Sequence, residues 1–224
     1  MRKIVITLYL AMITLTGIAQ NPLSFHAKAG IGTSCFYGKH SSSETRIAYK
    51  TGIGAEYVLN PTWVLQSALE FVSIGGKDEI EYVGKATMNE LYLQLPVMVA
   101  ARLNLGKDYH ASLSFGPYIA CGVGGKTSGE VEYGYDSHYS EAYRFRIDTF
   151  GSMAHNNMGN KRFDAGVNIG LSFEYHKFII GAEAQVGLVK INKQLNQMIT
   201  STERGNYLPK NFASFFTVGY RVYK

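Results

Sequence analysis

Apolar and polar residues alternate strictly along several stretches of the chain. In residues 162–175, seven apolar or aromatic positions alternate with seven small or polar ones. Because neighbouring side chains of a β-strand point to opposite faces, this pattern predicts a strand with one apolar and one polar face. The same pattern recurs, and the eight predicted strands cover residues 23–37, 47–59, 63–73, 91–103, 109–123, 162–175, 178–188 and 212–223.

The connections between these strands alternate in length without exception. Those after strands two, four and six are short, at residues 60–62, 104–108 and 176–177. Those after strands one, three, five and seven are long, at residues 38–46, 74–90, 124–161 and 190–211. Bacterial outer-membrane barrels have short periplasmic turns and long external loops, and strands of about 11 residues cross the bilayer when tilted.

We therefore predict an all-β fold, an eight-stranded antiparallel up-and-down transmembrane β-barrel with long extracellular loops and short periplasmic turns. The predicted location is the outer membrane, in contact with its lipid, and the even strand count puts both termini on the periplasmic side. Pro96 predicts a bulge or a local break in the fourth strand, since proline cannot donate to a ladder. A soluble barrel with its apolar face inward is the alternative.

The amino terminus has the features of a secretory signal peptide. Arg2 and Lys3 precede an apolar run at residues 4–15, and Gly17 and Ala19 are small residues at the −3 and −1 positions of a cut after Ala19. The run is shorter than the roughly 20 residues of a membrane-anchoring helix, which is the alternative. We predict a signal peptide at residues 1–19 and a barrel domain at 20–224. The net charge of +5 over 224 residues does not indicate nucleic-acid binding.

Charged residues also occupy inward-facing positions of the predicted strands. An eight-stranded barrel has an interior only just wide enough for its own side chains, and charges that lose water there must pair. We predict a structural ion-pair network that plugs the lumen and excludes an open general porin. A narrow channel, a small-ligand transporter or a proton pathway is the alternative. The seven predicted members are Lys28, Glu56, Glu70, Arg102, Glu174, Glu183 and Arg221.

Motifs that carry chemistry are weak in this sequence. Residues 120–127 read A-C-G-V-G-G-K-T, which lacks the first glycine of a phosphate-binding loop and leads out of a predicted strand. His40, His138 and His155 fall in predicted loops among scattered acids, where solvated side chains are the default. We predict no catalytic residues, no metal site and no cofactor, hence a non-enzymatic protein. A surface enzyme that uses a loop histidine such as His138 is the alternative.

The fifth connection contains two further alternating runs. Residues 130–135 and 143–148 predict a hairpin that extends the barrel above the membrane. Exposed tyrosine and arginine are favoured at protein interfaces. We predict contacts with a cell-surface partner, and shielding of the strand ends is the alternative. The predicted contact residues are Tyr133, Tyr135, Tyr139, Tyr143 and Arg144.

Three segments of the chain carry a resemblance to a known family. They read L-Y-L-Q-L-P at residues 91–96, G-P-Y at 116–118, continuing to G-V-G-G-K at 122–126, and R-F-D at 162–164, followed by Gly166 and Gly170. In these segments the chain resembles the PorT-like outer-membrane β-barrel family of the Bacteroidetes. The resemblance implies an eight-stranded barrel that includes Pro96. The founding member is needed for type IX secretion and surface display of cargo, so the resemblance implies secretion-machinery proteins as partners.

Overall fold

The computed structural model describes residues 23–38, 43–80, 84–136, 139–192 and 209–223. The predicted signal peptide lies outside these residues. Among them, no helix is both long and apolar enough to cross a membrane. The described strands are β1 (Leu23–Tyr37), β2 (Arg46–Val58), β3 (Trp63–Ile80), β4 (Gly84–Asn104), β5 (Tyr109–Gly124), β6 (Lys126–Asp136), β7 (Tyr139–Phe150), β8 (Asn157–Asn160), β9 (Phe163–Tyr175), β10 (Phe178–Gly187) and β11 (Lys210–Tyr223).

Eight of these strands close into an antiparallel barrel. Their order around the barrel is β1, β2, β3, β4, β5, β9, β10 and β11, and β11 pairs with β1 to complete the ring. Each strand pairs with its sequence neighbour except where β9 follows β5, because β6, β7 and β8 lie outside the ring. This arrangement confirms the predicted eight-stranded fold.

The strands β3 and β4 are longer than the sequence pattern predicts. Pairing continues beyond Ser73, from Ile74 opposite Glu90 to Ile80 opposite Gly84. The prediction of a long loop at residues 74–90 is therefore wrong, since most of this segment is a hairpin. Alternation of apolar and polar residues ends here while backbone pairing does not, because the outward side chains become polar where the strands leave the apolar belt.

The predicted hairpin in the fifth connection is confirmed. The strands β6 and β7 pair with each other, and the first residues of β6 also pair with the start of β4. Gly125 joins β5 to β6 with a φ of +147°, and a Cβ atom there would lie 2.1 Å from the carbonyl oxygen of Asn89. We call this end of the barrel the hairpin end, and the opposite end, which holds Leu23 and the short turns, the turn end.

Large apolar side chains cover the outside of the barrel, and polar side chains are buried inside it. On β9, Ile169 and Leu171 are exposed, whereas Asn168 and Glu174 are buried. Aromatic rings gather at the turn end, where Tyr109 stacks on Tyr175 with a centroid separation of 4.6 Å. An apolar belt edged by aromatic rings is typical of a lipid-facing surface.

Pro96 interrupts the ladder without shifting it. On the β3 side the pairs Ser67 with Val97 and Glu70 with Gln94 flank a gap, and both pairs belong to the same register. The Ser67 hydroxyl donates to the Pro96 carbonyl at 2.9 Å. The predicted local break is confirmed, and the register shift of β4 lies instead between Leu91 and Tyr92.

A charge placed in the middle of the apolar belt is expected to destabilise the barrel strongly. Ile169 lies midway along β9 on the outer face, so Ile169→Arg should cost about 2–4 kcal/mol in a bilayer. Ile47 is also exposed but lies at the hairpin end of β2, so Ile47→Arg should cost only about 0–1 kcal/mol. Urea titration in lipid vesicles measures both costs, and equal costs would contradict the proposed belt.

Candidate functional site

Near the turn end, four charged side chains form a closed ring across the lumen, which we call the arginine ring. It consists of Glu56 on β2, Arg102 on β4, Glu174 on β9 and Arg221 on β11, so every second strand contributes one residue. Arg102 Nη2 lies 2.7 Å from Glu56 Oε2 and 3.8 Å from Glu174 Oε2. Arg221 closes the ring, with Nη1 2.8 Å from Glu56 Oε2 and Nη2 2.6 Å from Glu174 Oε2.

A second closed ring, the lysine ring, lies further towards the hairpin end. It consists of Lys28, Lys50, Glu70 and Glu183, from β1, β2, β3 and β10. Lys28 Nζ lies 2.6 Å from Glu183 Oε1 and 3.1 Å from Glu70 Oε1. Lys50 Nζ lies 3.2 Å from Glu70 Oε2 and also pairs with Glu183. Because β2 and β10 are three strands apart, the Lys50–Glu183 pair crosses the lumen.

The two rings bring together all seven predicted members of the ion-pair network, and they add Lys50. Each ring contains two cations and two anions, so each is electrically neutral. Lys50 is 3% exposed and shares the inward parity of Glu56 on β2. Its position was therefore visible in the strand register, but its role in the ring is set by contacts across the lumen.

An aromatic layer fills the lumen beyond the lysine ring. The ring of Phe150, at the end of β7, packs edge-on against Tyr92, with centroids 5.4 Å apart. It also covers Gly122, where a Cβ atom would lie 2.5 Å from the Phe150 ring. Tyr118 and Phe215 belong to the same buried cluster. The hairpin thus returns an aromatic side chain into the barrel it extends.

Beyond this layer lie two buried carboxylates, Glu90 and Asp164, which we call the outer acid pair. Both are 0% exposed. Glu90 Oε1 accepts from Asn160 Nδ2 at 2.7 Å. Asp164 accepts from the Tyr118 hydroxyl and from Asn211 Nδ2, both at 3.1 Å. The sequence pattern placed Glu90 in a loop and therefore gave no signal that it faces the lumen.

The segments that carry the family resemblance meet at this level of the barrel. Tyr92 comes from residues 91–96, Tyr118 from 116–118, and Asp164 from 162–164. The Tyr118 hydroxyl donates to Asp164, and Tyr92 belongs to the same buried cluster as Tyr118. The three motifs, distant in sequence, therefore build one buried cluster.

Two of the predicted contact residues on the hairpin have described side chains, and both are exposed. Tyr143 is 66% exposed, and the Arg144 side chain is 83% exposed, with its Nε 3.6 Å from Glu130 Oε1. Nearby, Lys126 Nζ lies 2.7 Å from Asp148 Oδ1 at the surface. The other predicted contact residues lie on β6 and β7, and their side chains fall outside the described part of the structure; they are Tyr133, Tyr135 and Tyr139.

The loop histidines do not assemble into a site within the described residues. His155 is exposed in a short 3₁₀ helix at Met153–His155. His40 and His138 lie outside the described residues. Across the described ranges, no three histidine, cysteine, aspartate or glutamate side chains converge as metal ligands.

Comparison with known proteins relates the chain to outer-membrane barrels. The family model described as "Outer membrane protein beta-barrel domain" matches residues 16–192. Among solved structures, Neisserial surface protein A is similar with 12% identity and a TM-score of 0.43, over 90% of this chain and 99% of that chain. The attachment invasion locus protein Ail of Yersinia pestis is similar with 11% identity and a TM-score of 0.41, over 88% and 98%. No curated protein matches the sequence.

Proposed function

We propose, since the chain belongs to the outer membrane protein beta-barrel domain family, that it is a non-enzymatic barrel with a closed lumen that acts through its hairpin end. In this proposal the hairpin end faces the cell exterior, and the turn end and both termini face the periplasm. The observation that carries it is the pair of neutral rings that cross the lumen. A lumen closed by its own side chains leaves the outer surfaces as the place of function.

The two rings and the aromatic layer support closure at three levels. Lys50, Glu70 and Arg221 are almost fully buried, so their pairs are not screened by solvent. Each ring balances its own charges, so neither ring carries a net charge that would draw an ion inward. Phe150 and Tyr92 block the path above the rings with apolar surface.

The hairpin supports a role in surface interaction or in a type IX secretion-associated assembly. It is anchored on β4 and carries exposed Tyr143 and Arg144 at the end opposite the short turns. Such side chains combine a large contact area with polar tips, which suits binding to a protein partner. The secretion role rests on the family resemblance of the three motifs.

A clean deletion in the native host tests this role. We expect type IX cargo to accumulate in the periplasm and to return to the cell surface when the intact gene is restored, as measured by mass spectrometry of both fractions. If the distribution of cargo between the two fractions is unchanged, the secretion role is wrong, and surface interaction with another partner is the remaining proposal.

Shortening the hairpin is expected to abolish complementation while preserving the barrel. Replacing residues 129–145 by an Asn-Gly turn joins Ser128 to Arg146, which lie opposite each other in the ladder. The protein should still reach the outer membrane and keep its heat-modifiable mobility on gels, yet fail to rescue cargo display. The double variant Tyr143→Ser, Arg144→Ser keeps the hairpin and tests the contribution of these two exposed side chains alone. Full rescue by the shortened chain would contradict a role for the hairpin.

The wild-type protein is expected to give no steady conductance in planar bilayers, because both rings and the aromatic layer close its lumen. A narrow channel or small-ligand transporter is the competing function. It requires steady conductance that changes with Glu70→Ala or Glu183→Ala, since these residues hold the lysine ring. Recordings of the wild type, Glu70→Ala and Glu183→Ala at matched voltages decide between a closed barrel and a channel or transporter.

A further inference from the structure

Three lysines gather where β9, β10 and β11 reach the hairpin end, and we call them the basic patch. They are Lys161, Lys190 and Lys210. The Lys161 amide donates to the Ile191 carbonyl at 2.8 Å, and the Ile191 amide donates to the Pro209 carbonyl at 3.0 Å. Because each lysine belongs to this chain of hydrogen bonds or directly adjoins one of its members, the three backbone segments lie side by side.

The basic patch borders the apolar belt. Exposed apolar side chains reach the hairpin end of this sector at three positions, Phe163, Leu188 and Phe212. Each lysine lies two residues beyond one of these positions along the chain, in the direction of the hairpin end. A bilayer that covers the belt therefore brings its headgroup layer to the level of the lysines.

The positive charge of the basic patch is not balanced by the strands that carry it. The acids on β9, β10 and β11 all face the lumen, and they are Asp164, Glu174 and Glu183. Within the described ranges, none of the three lysines forms a salt bridge. Other lysines at this end are matched, since Lys126 pairs with Asp148 and Lys85 lies opposite Glu130 in the ladder. The basic patch is therefore suited to an external anion.

Tyr37 on β1 holds one of these lysines in place. Lys210 lies opposite Tyr37 in the ladder, and its Nζ lies 5.7 Å from the centroid of the Tyr37 ring. The Tyr37 hydroxyl donates to the Gly187 carbonyl on β10 and so fixes the ring across β11. A lysine over an aromatic face keeps N–H donors on the side away from the ring, so Lys210 remains able to donate to an anion.

An open groove on the outer face continues from the basic patch towards the turn end. It crosses from β9 to β1 and has a volume of about 610 Å³, within the range of small-ligand sites. Its lining includes three large exposed side chains and three small ones, Ile31, Ile169, Phe216, Thr33, Ala184 and Ser214. Ser214 lies four residues along β11 from Lys210, about 13 Å at the usual rise of a strand. Because the headgroup layer is only about 5–8 Å thick, the groove lies at the depth of the acyl chains.

We propose that this sector of the barrel binds one phosphorylated lipid, with its phosphate on the basic patch and an acyl chain in the groove. Lysine ammonium groups bind phosphate through charge-assisted hydrogen bonds, and basic clusters at a membrane surface attract anionic headgroups. A free phosphate ion would use the patch but not the groove, and a zwitterionic lipid would bring a positive charge of its own. The site requires only that the belt lies in a bilayer, so it is independent of the partner of the hairpin.

Lipid binding to the purified protein tests the proposal. The full chain, folded in micelles of a non-ionic detergent, is titrated with dilauroyl phosphatidic acid, and native mass spectrometry counts the bound lipids. We expect one tightly bound phosphatidic acid per chain. The double variant Lys190→Gln, Lys210→Gln should bind it about tenfold more weakly or worse. The double variant Lys77→Gln, Lys85→Gln is the matched control, because it removes the same charge at the same end but from β3 and β4, and should bind as the wild type does.

Two further measurements test the groove and the source of the phosphate. Ala184→Phe fills the groove without changing the charge, and it should also weaken the binding of phosphatidic acid. Inorganic phosphate at the same concentration as the lipid should not displace it, because the ion leaves the groove empty.

The remaining outcomes overturn the proposal. Equal weakening in the two double variants would mean that the lipid follows the general charge of the surface rather than this sector. Equal binding of dilauroyl phosphatidylcholine would mean that the negative charge of the headgroup plays no part. Unchanged binding by Ala184→Phe would exclude the groove, and displacement by inorganic phosphate would assign the patch to a free anion. None of these outcomes bears on the secretion role, which the distribution of cargo reports separately.

Discussion

Replacing Arg221 by methionine is expected to lower the free energy of unfolding by about 3–5 kcal/mol. Arg221 is 3% exposed and makes a two-pronged contact with Glu174, at 2.8 and 2.6 Å. It also pairs with Glu56 and donates to Ser24 Oγ. Methionine keeps most of the packing volume but removes every donor, so a buried carboxylate loses its main partner.

The single Trp63 provides the measurement. It lies on the outer face at the turn end, so its fluorescence should change when urea unfolds the barrel and Trp63 leaves the micelle. Lys126→Met is the matched control, because Lys126 pairs with Asp148 where both side chains are at least half exposed, and should cost about 0–1 kcal/mol. Equal costs for the two variants would show that the arginine ring contributes nothing to stability.

The barrel itself was predictable because its two faces meet different solvents. Lipid outside and a crowded lumen inside impose an alternation of apolar and polar residues, with a period of two residues, over the whole length of β9. The short turns at the turn end mark where the chain reverses between strands. That signal fades at Lys77 and Lys85, which face outward beyond the apolar belt. Strand pairing there is held by backbone hydrogen bonds, which leave no pattern in the sequence.

Strand register predicts which charges point inward, but not how they pair. Lys28 and Glu183 come from strands separated by β11, and Lys50 reaches Glu183 across three strand steps. Such contacts depend on the stagger of the strands around the barrel, which no single strand encodes. The balance of two cations and two anions in each ring therefore emerges only from the closed structure.

The outer acid pair could not be predicted from the sequence, for a different reason. Glu90 lies just before the run of outward apolar residues that begins at Leu91, so the alternating pattern starts one residue too late to include it. Asp164 was placed inward by its register, but its partners Asn211 and Tyr118 come from two other strands. A buried acid with neutral partners has no signature at the level of one strand.

The lysine ring is expected to show strong energetic coupling between its members. Glu183→Gln leaves two buried lysines to share Glu70 and should cost about 3–5 kcal/mol. Adding Lys28→Met restores neutrality, because the Lys50–Glu70 pair remains with its nitrogen and oxygen 3.2 Å apart. The double variant should therefore be more stable than the sum of the two single costs predicts, by about 1–3 kcal/mol.

A second cycle separates this coupling from a general response to lost charge. Glu183→Gln combined with Lys126→Met also restores the net charge of the chain, but Lys126 pairs with Asp148 in the hairpin and has no partner in common with Glu183. In this second cycle, the costs of the two single substitutions in free energy of unfolding should add to within about 0.5 kcal/mol. Urea titrations followed by Trp63 fluorescence give both coupling energies. Additivity in the Lys28 cycle as well would mean that the ring does not act as a unit, and closure of the lumen would then rest on packing alone.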